Sequence, residues 1–172
     1  VVAGDETAGA GLLNELRPFV YRRSLDFGAF AALREMKALI NREAERKGIV
    51  GNIKLGTGGI REIEFIAQAF QLVRGGRDHG LRSRSLRATL AALADRDLLP
   101  AHGVRQLQAA YDFLRRVENR LQMVADQQTH CLPTTPLEQS RLAFAMAYPD
   151  WASFLAALDE QRRLVHDQFE QI

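Results

Sequence analysis

One cysteine, Cys131, is all that 172 residues contain, so an internal disulfide is excluded. The fold must rest on packing and hydrogen bonds, and a lone thiol suits a reducing, cytoplasmic setting. Proline is nearly as scarce, with five. Pro100 and Pro136 suit the first turn of a helix, Pro133 and Pro149 suit connections, and Pro18 falls inside an apolar pattern that it should kink or end. Long apolar runs are missing too. The most apolar stretch, Ile60 to Val73, is broken by Arg61, Glu62, Glu64, Gln68 and Gln71, which excludes a membrane span there and makes a membrane partner unexpected. No basic start followed by an apolar run marks a signal peptide. The chain also begins at Val1 without an initiator methionine, which reads as a segment of a longer protein. Charge of one sign is lacking: 23 basic against 21 acidic residues leave +2, too little to point to nucleic acid.

What remains is apolar content, 47% of the residues, arranged with helical period almost throughout. A first helix is expected from Glu6 to Arg22, with Leu12, Leu13, Leu16, Phe19 and Val20 facing inward. A second should follow the cap Asp26 and run to Lys47, carrying Phe30, Leu33, Met36, Leu39 and Ile40, with Glu43 and Lys47 paired near its end and Gly48 stopping it. Further helices are expected from Ile60 to Val73, from a Ser85 cap to Ala94, from Pro100 to Asp126, from Pro136 to Met146 and from Asp150 to Glu170. The long one should bury Val104, Leu107, Tyr111, Leu114, Leu121 and Val124. The last should bury Trp151, Phe154, Leu155, Leu158, Leu164 and Phe169. No alternating β-branched run suggests a strand, and no repeat suggests a solenoid. The fold class is therefore all-α: a single bundle of about seven helices over residues 1–172.

The most informative stretch is Lys54-Leu55-Gly56-Thr57-Gly58-Gly59-Ile60-Arg61-Glu62-Ile63-Glu64. Three glycines within four positions are costly in a helical protein unless a turn or close approach requires them. They lead directly into a helix, where unpaired N–H groups and the helix dipole favour an anion. With Lys54 and Arg61 alongside, Gly56, Gly58 and Gly59 make either a phosphate cradle or a tight corner in a bundle. No Gly-Lys-Ser/Thr follows, so this is not a Walker loop, and no strand precedes it as a dinucleotide fingerprint requires. Glu62 and Glu64 lie in the first turn on different faces. They suit a supporting role, orienting an arginine, better than joint metal ligation.

Other candidates are weaker. His79, His102, His130 and His166 lack metal-ligand spacing, and Cys131 beside His130 has no oxyanion motif. Arg74 to Arg87 holds five arginines against one aspartate, either a solvated loop or a basic surface for a nucleotide or acidic partner. Glu118, near the buried stripe with Arg115, Arg116 and Arg120, suggests a structural ion pair. Asp95-Arg96-Asp97 reads as a solvated helix end.

Asn52 to Arg77, NIKLGTGGIREIEFIAQAFQLVRGGR, resembles the segment following the first catalytic domain of bacterial glutamine-synthetase adenylyltransferases. RPFVYRRSLDFGAF from Arg17, MKALINRE from Met36, FLRRVENRLQ from Phe113 and the pair Leu132-Pro133 extend the resemblance over nearly the whole chain. A shorter form of the glycine loop is also similar to uridylyltransferases that modify the PII protein. The resemblance implies a two-headed enzyme. One head removes AMP from glutamine synthetase by phosphorolysis, and the other adds AMP from ATP with magnesium held by a Gly-Ser-Asp-x-Asp motif. PII and glutamine would set the direction. That motif is missing here, so the resemblance assigns this segment no catalytic residue, metal or cofactor of its own. It implies a helical region behind the adenylyl-removing head, touching phosphate or nucleotide through Lys54, Gly56, Gly58, Gly59 and Arg61 with Glu62 and Glu64 in support. Its expected partners are the nucleotidyltransferase heads, glutamine synthetase and PII. The alternative is a scaffold that relays PII or glutamine signals between the heads without touching either active site.

Overall fold

Local signals place the helices. The computed structural model describes residues 3–22, 51–124, 126 and 128–171, together with positions 32, 35, 36, 38, 39 and 42. Helix α1 is Glu6–Val20, α2 Ile60–Arg74, α3 Leu86–Ala94, α4 Ala101–Met123, α5 Pro136–Ala145 and α6 Trp151–Glu170, with a short 3-10 turn at His79–Leu81. Ser85 caps α3 through the Ala88 N–H, Thr135 caps α5 through the Glu138 N–H, and Asp150 caps α6 through the Ser153 N–H. Each occupies an orphan donor of a first turn. Pro18 lies within α1, which ends two residues later at Val20.

Six helices thus stand among the described residues. The six isolated positions are helical as well. The expected cap Asp26, the apolar Phe30, Leu33 and Ile40, the Glu43–Lys47 pair and the stop at Gly48 lie outside the described residues.

The core forms where α2, α4 and α6 meet. Helix α4 packs on α3, α5 and α6, while α2 packs on α3, α4 and α6. Ile60, Ile63 and Ile66 of α2, Leu107, Leu114 and Val117 of α4, and Phe154, Leu158, Val165 and Phe169 of α6 are fully enclosed. Phe65 meets Phe169 edge-on with centroids 5.4 Å apart. Phe154 is surrounded by Phe113, Tyr148 and Trp151, each such pair adding to plain area burial.

Two expectations about burial are corrected. Leu12, Leu13, Leu16, Phe19 and Val20 do not face a core; α1 has no buried residue and Phe19 is 72% exposed. An amphipathic stripe shows which face gains from cover, not that cover is present. The chain after α1 does meet the body. The Arg82 guanidinium lies 4.9 Å over the Tyr21 ring, and Tyr21 abuts Gly75. Val124 is likewise exposed, because α4 stops at Met123 and Val124 has left the helical face.

Candidate functional site

The glycine loop is a corner fixed from within. Asn52 Oδ1 accepts the N–H groups of Lys54 and Leu55 at 3.0 and 2.8 Å. The Gly56 N–H then donates to the Asn52 carbonyl, and the Gly59 N–H to the Gly56 carbonyl. At the start of α2 the N–H groups of Ile60, Arg61 and Glu62 donate to the carbonyls of Ile53, Lys54 and Gly59. The amides that would cradle an anion are therefore turned into the loop.

Two outer walls hold this corner. On one side Ile53 N–H donates to the His130 carbonyl and Leu132 N–H to the Gly51 carbonyl, with an antiparallel bridge between Asn52 and Cys131. On the other side stands α6. Gly58 has φ +69°, and a Cβ there would overlap the backbone carbonyl of Arg162. Only glycine combines that left-handed conformation with that approach. Arg162 Nε donates to the Thr57 carbonyl at 2.8 Å. A Cβ on Gly59 would come within 2.7 Å of the Gly56 and Lys54 carbonyl oxygens.

A buried glutamate stands behind each wall. Glu118 of α4 is 2% exposed and is met by three basic groups: Arg115, Lys54 with Nζ at 3.5 Å, and His130 with Nδ1 at 3.0 Å. The His130 contact is close but is not aligned as a hydrogen bond. Glu62 of α2 is 3% exposed. It faces His166 Nδ1, 3.3 and 3.4 Å from its two oxygens. Burial raises the pKa of Glu62 above its usual range. The Gly58 N–H and His166 pull it back, and Glu170 pushes it up again. Burial likewise draws Arg162 below the usual arginine range, against Asp159 and Glu62.

The structure thus brings all seven sequence-derived residues to one corner but divides their tasks. Gly56, Gly58 and Gly59 are buried and set the turn. Lys54 is half-buried and spans from the loop to Glu118. Arg61 is exposed, 3.8 Å from Glu64, a surface pair of small energetic weight. Glu64 is the partner of Arg61 in that surface pair, while Glu62 faces His166.

Local sequence ties neither His166 nor Arg162 to the loop; both reach it from α6, more than a hundred residues away. Glu118 was legible as a buried acid, but Lys54 and His130 as its partners were not. The basic run is partly absorbed by the fold. Arg82 donates to the Gly75 and Gly76 carbonyls, and Arg87 pairs with Asp112 at 2.5 Å. Asp95 and Asp97 are exposed at the end of α3. Among the described residues no group of three or more His, Cys, Asp or Glu side chains is placed to hold a metal ion. Magnesium does not fit this donor set, since each buried carboxylate is already held by basic groups. Among the described residues no helix is long and apolar enough to cross a membrane.

A model of the family described as GlnD PII-uridylyltransferase matches residues 34–172. The chain belongs to that family. It is also similar along its whole length to proteins named bifunctional glutamine synthetase adenylyltransferase/adenylyl-removing enzyme. Identity over all 172 residues is 58% with the protein of Nitrosococcus oceani, 56% with that of Thioalkalivibrio sulfidiphilus and 51% with that of Pseudomonas putida. The chain spans 18% of the length of each of these relatives. The resemblance first carried by the glycine loop therefore holds over the whole chain.

Proposed function

We propose that this chain is the helical part of a bifunctional enzyme that adds AMP to glutamine synthetase and removes it, and that it supports the adenylyl-removing head. The observation that carries this reading is the 58% identity over all 172 residues to a relative bearing both activities in its name. ATP and magnesium belong to the nucleotidyltransferase heads in this reading. Glutamine synthetase is the substrate partner, PII the regulatory one, and the cytoplasm the setting.

Within that enzyme the loop acts as a platform. Gly56, Gly58 and Gly59 contribute shape, because their neighbouring amides are spent on loop carbonyls. Lys54 and Arg61 contribute charge toward the phosphate or AMP group. Arg61 suits this better, being the more exposed and only weakly paired. A purely scaffolding role for the helices finds support in the internal bonding of the loop, and the two readings separate experimentally.

The test is an assay of the longer enzyme containing this chain, with adenylylated glutamine synthetase, phosphate and magnesium. Phosphate-dependent release of ADP is expected from it, and none from the 172-residue chain alone. Absence of release from the longer enzyme would refute the activity. Release by the chain alone would show that the catalytic groups lie within it.

A further inference from the structure

Two arginines of the basic run are left over by the fold. Arg82 is tied to the Gly75 and Gly76 carbonyls, Arg87 to Asp112, and Arg77 is engaged as well. Arg74 and Arg84 are exposed and, among the described residues, have no ion-pair partner. Arg84 stands at an open cleft of about 490 Å³ between α2 and the segment leading into α3. Glu64, Gln68 and Gln71 line this cleft from α2, Ser83 and Arg84 from that segment, and Tyr111 from α4.

The α2 groups fall at i, i+4 and i+7, on one side of the helix and over about 10 Å of its length. Three residues of extended chain cover about the same distance. The Gln71 Nε2 group donates to the Leu81 and Ser83 carbonyls at 2.9 and 2.8 Å. Its amide hydrogens are thereby spent, and its oxygen is the atom it can offer a ligand. Gln68 is exposed and offers both donor and acceptor. A row of side-chain amides suits the N–H and C=O groups of a peptide backbone. The Tyr111 ring packs against the core, so it offers its hydroxyl edge rather than a free face for a nucleobase. Glu64 has Arg61 at 3.8 Å to answer its charge. The charge of Arg84 is unanswered.

We propose that this cleft is a docking site for an extended acidic segment of a partner protein. The segment's backbone runs along Glu64, Gln68 and Gln71, and an aspartate or glutamate side chain meets Arg84, whose guanidinium fits a carboxylate in two-pronged fashion. Charge complementarity selects this occupant. Arg74, one turn beyond Gln71 on the same side of α2, carries the positive charge past the end of the cleft. In the enzyme proposed above, the segment belongs to the protein substrate. The docking is a property of the chain itself, and its test involves no catalysis.

The test is an NMR titration of the nitrogen-labelled chain at low salt with the blocked peptide acetyl-Ala-Glu-Asp-Glu-Ala-amide. Saturable amide shifts are expected at Gln68, Gln71, Ser83 and Arg84, with Leu142, which lines a separate groove, unmoved. Arg84→Ala should weaken binding about tenfold, the loss of one charge-assisted contact. Because Arg84 is exposed and unpaired, the variant should keep the parental spectrum elsewhere. Arg74→Ala should weaken binding less, and added salt should weaken it for the unaltered chain. The same peptide with Gln and Asn in place of Glu and Asp should bind at least about tenfold more weakly. No saturable shift at the cleft, equal affinity for the neutral peptide, or unchanged affinity in Arg84→Ala would overturn the proposal. So would adenosine monophosphate binding in the cleft more tightly than the peptide, which would make it a nucleotide site.

Discussion

Glu118 and Glu62 are the same residue type, buried to the same degree, each facing a histidine and each touching one wall of the same loop. They differ in what else surrounds them. Glu118 has Arg115 and Lys54 in addition to His130. Glu62 has His166 and the nearby Arg162, with Glu170 pushing the other way. A buried acid surrounded by permanent positive charge is a structural tie. Burial raises the pKa of Glu62, so its ionisation is coupled to folding. Burial alone does not separate the two cases; the count of permanent charges does.

The comparison breaks most visibly at Glu118. Glu118→Ala leaves Lys54, Arg115 and His130 facing a void, and breaking a buried pair from one side costs about 3–5 kcal/mol. Chemical denaturation should show a loss of that size, and a loss below about 1 kcal/mol would mean that the three basic groups are solvated without it. Next comes Gly58→Ala, which forces a left-handed residue and a Cβ into the Arg162 carbonyl. The two costs together come to about 2–5 kcal/mol, read by the same unfolding curves.

Glu62→Gln should act in the opposite direction and more weakly. The folded chain keeps the Glu62 proton to higher pH than the unfolded chain does, so its contribution to stability is lost as pH rises from near 4.5 through the raised folded value. The glutamine variant should therefore match the unaltered chain near pH 5 and exceed its stability at pH 8. Asp78 and Asp150 run the other way. Arg96 draws Asp78 down and the Ser153 N–H draws Asp150 down, so their support is lost only as pH falls below about 3.8. A Glu62→Gln chain with the same stability profile as its parent from pH 5 to 8 would contradict the contrast. Arg61→Ala should have the smallest effect on stability, within about 0.5 kcal/mol, because its pair with Glu64 is a surface one.

Much of the helical order was legible because its signals are local. Ser85, Pro136 and Asp150 each mark a helix start within three residues of sequence. Glu118 could be read as a buried tie, since Arg115 lies one turn before it on the same helix. The glycine loop could be located but not assigned a role. Both a phosphate cradle and a tight corner need glycine, and only the backbone partners of Ile60, Arg61 and Glu62 show where the amides point. His166 and Arg162 were illegible for a different reason. Their contact with the loop depends on how α6 crosses α2, which no local pattern encodes. The exposed stripe of α1 shows the same limit from the other side, since Leu12, Leu16 and Phe19 carry the pattern of a buried face without being buried.

Arg61→Ala in the full-length enzyme, with both activities measured, most directly tests the proposal that the corner presents Arg61 to the reacting phosphate at the adenylyl-removing head. Losing one charge-assisted contact of roughly 1.5–3 kcal/mol should slow phosphorolytic removal of AMP by about ten- to a hundredfold. Addition of AMP should be unchanged, and Arg87→Ala should alter neither. Intact removal of AMP in a folded Arg61→Ala enzyme, or equal loss of both activities, would contradict the claim and leave the loop as a structural corner.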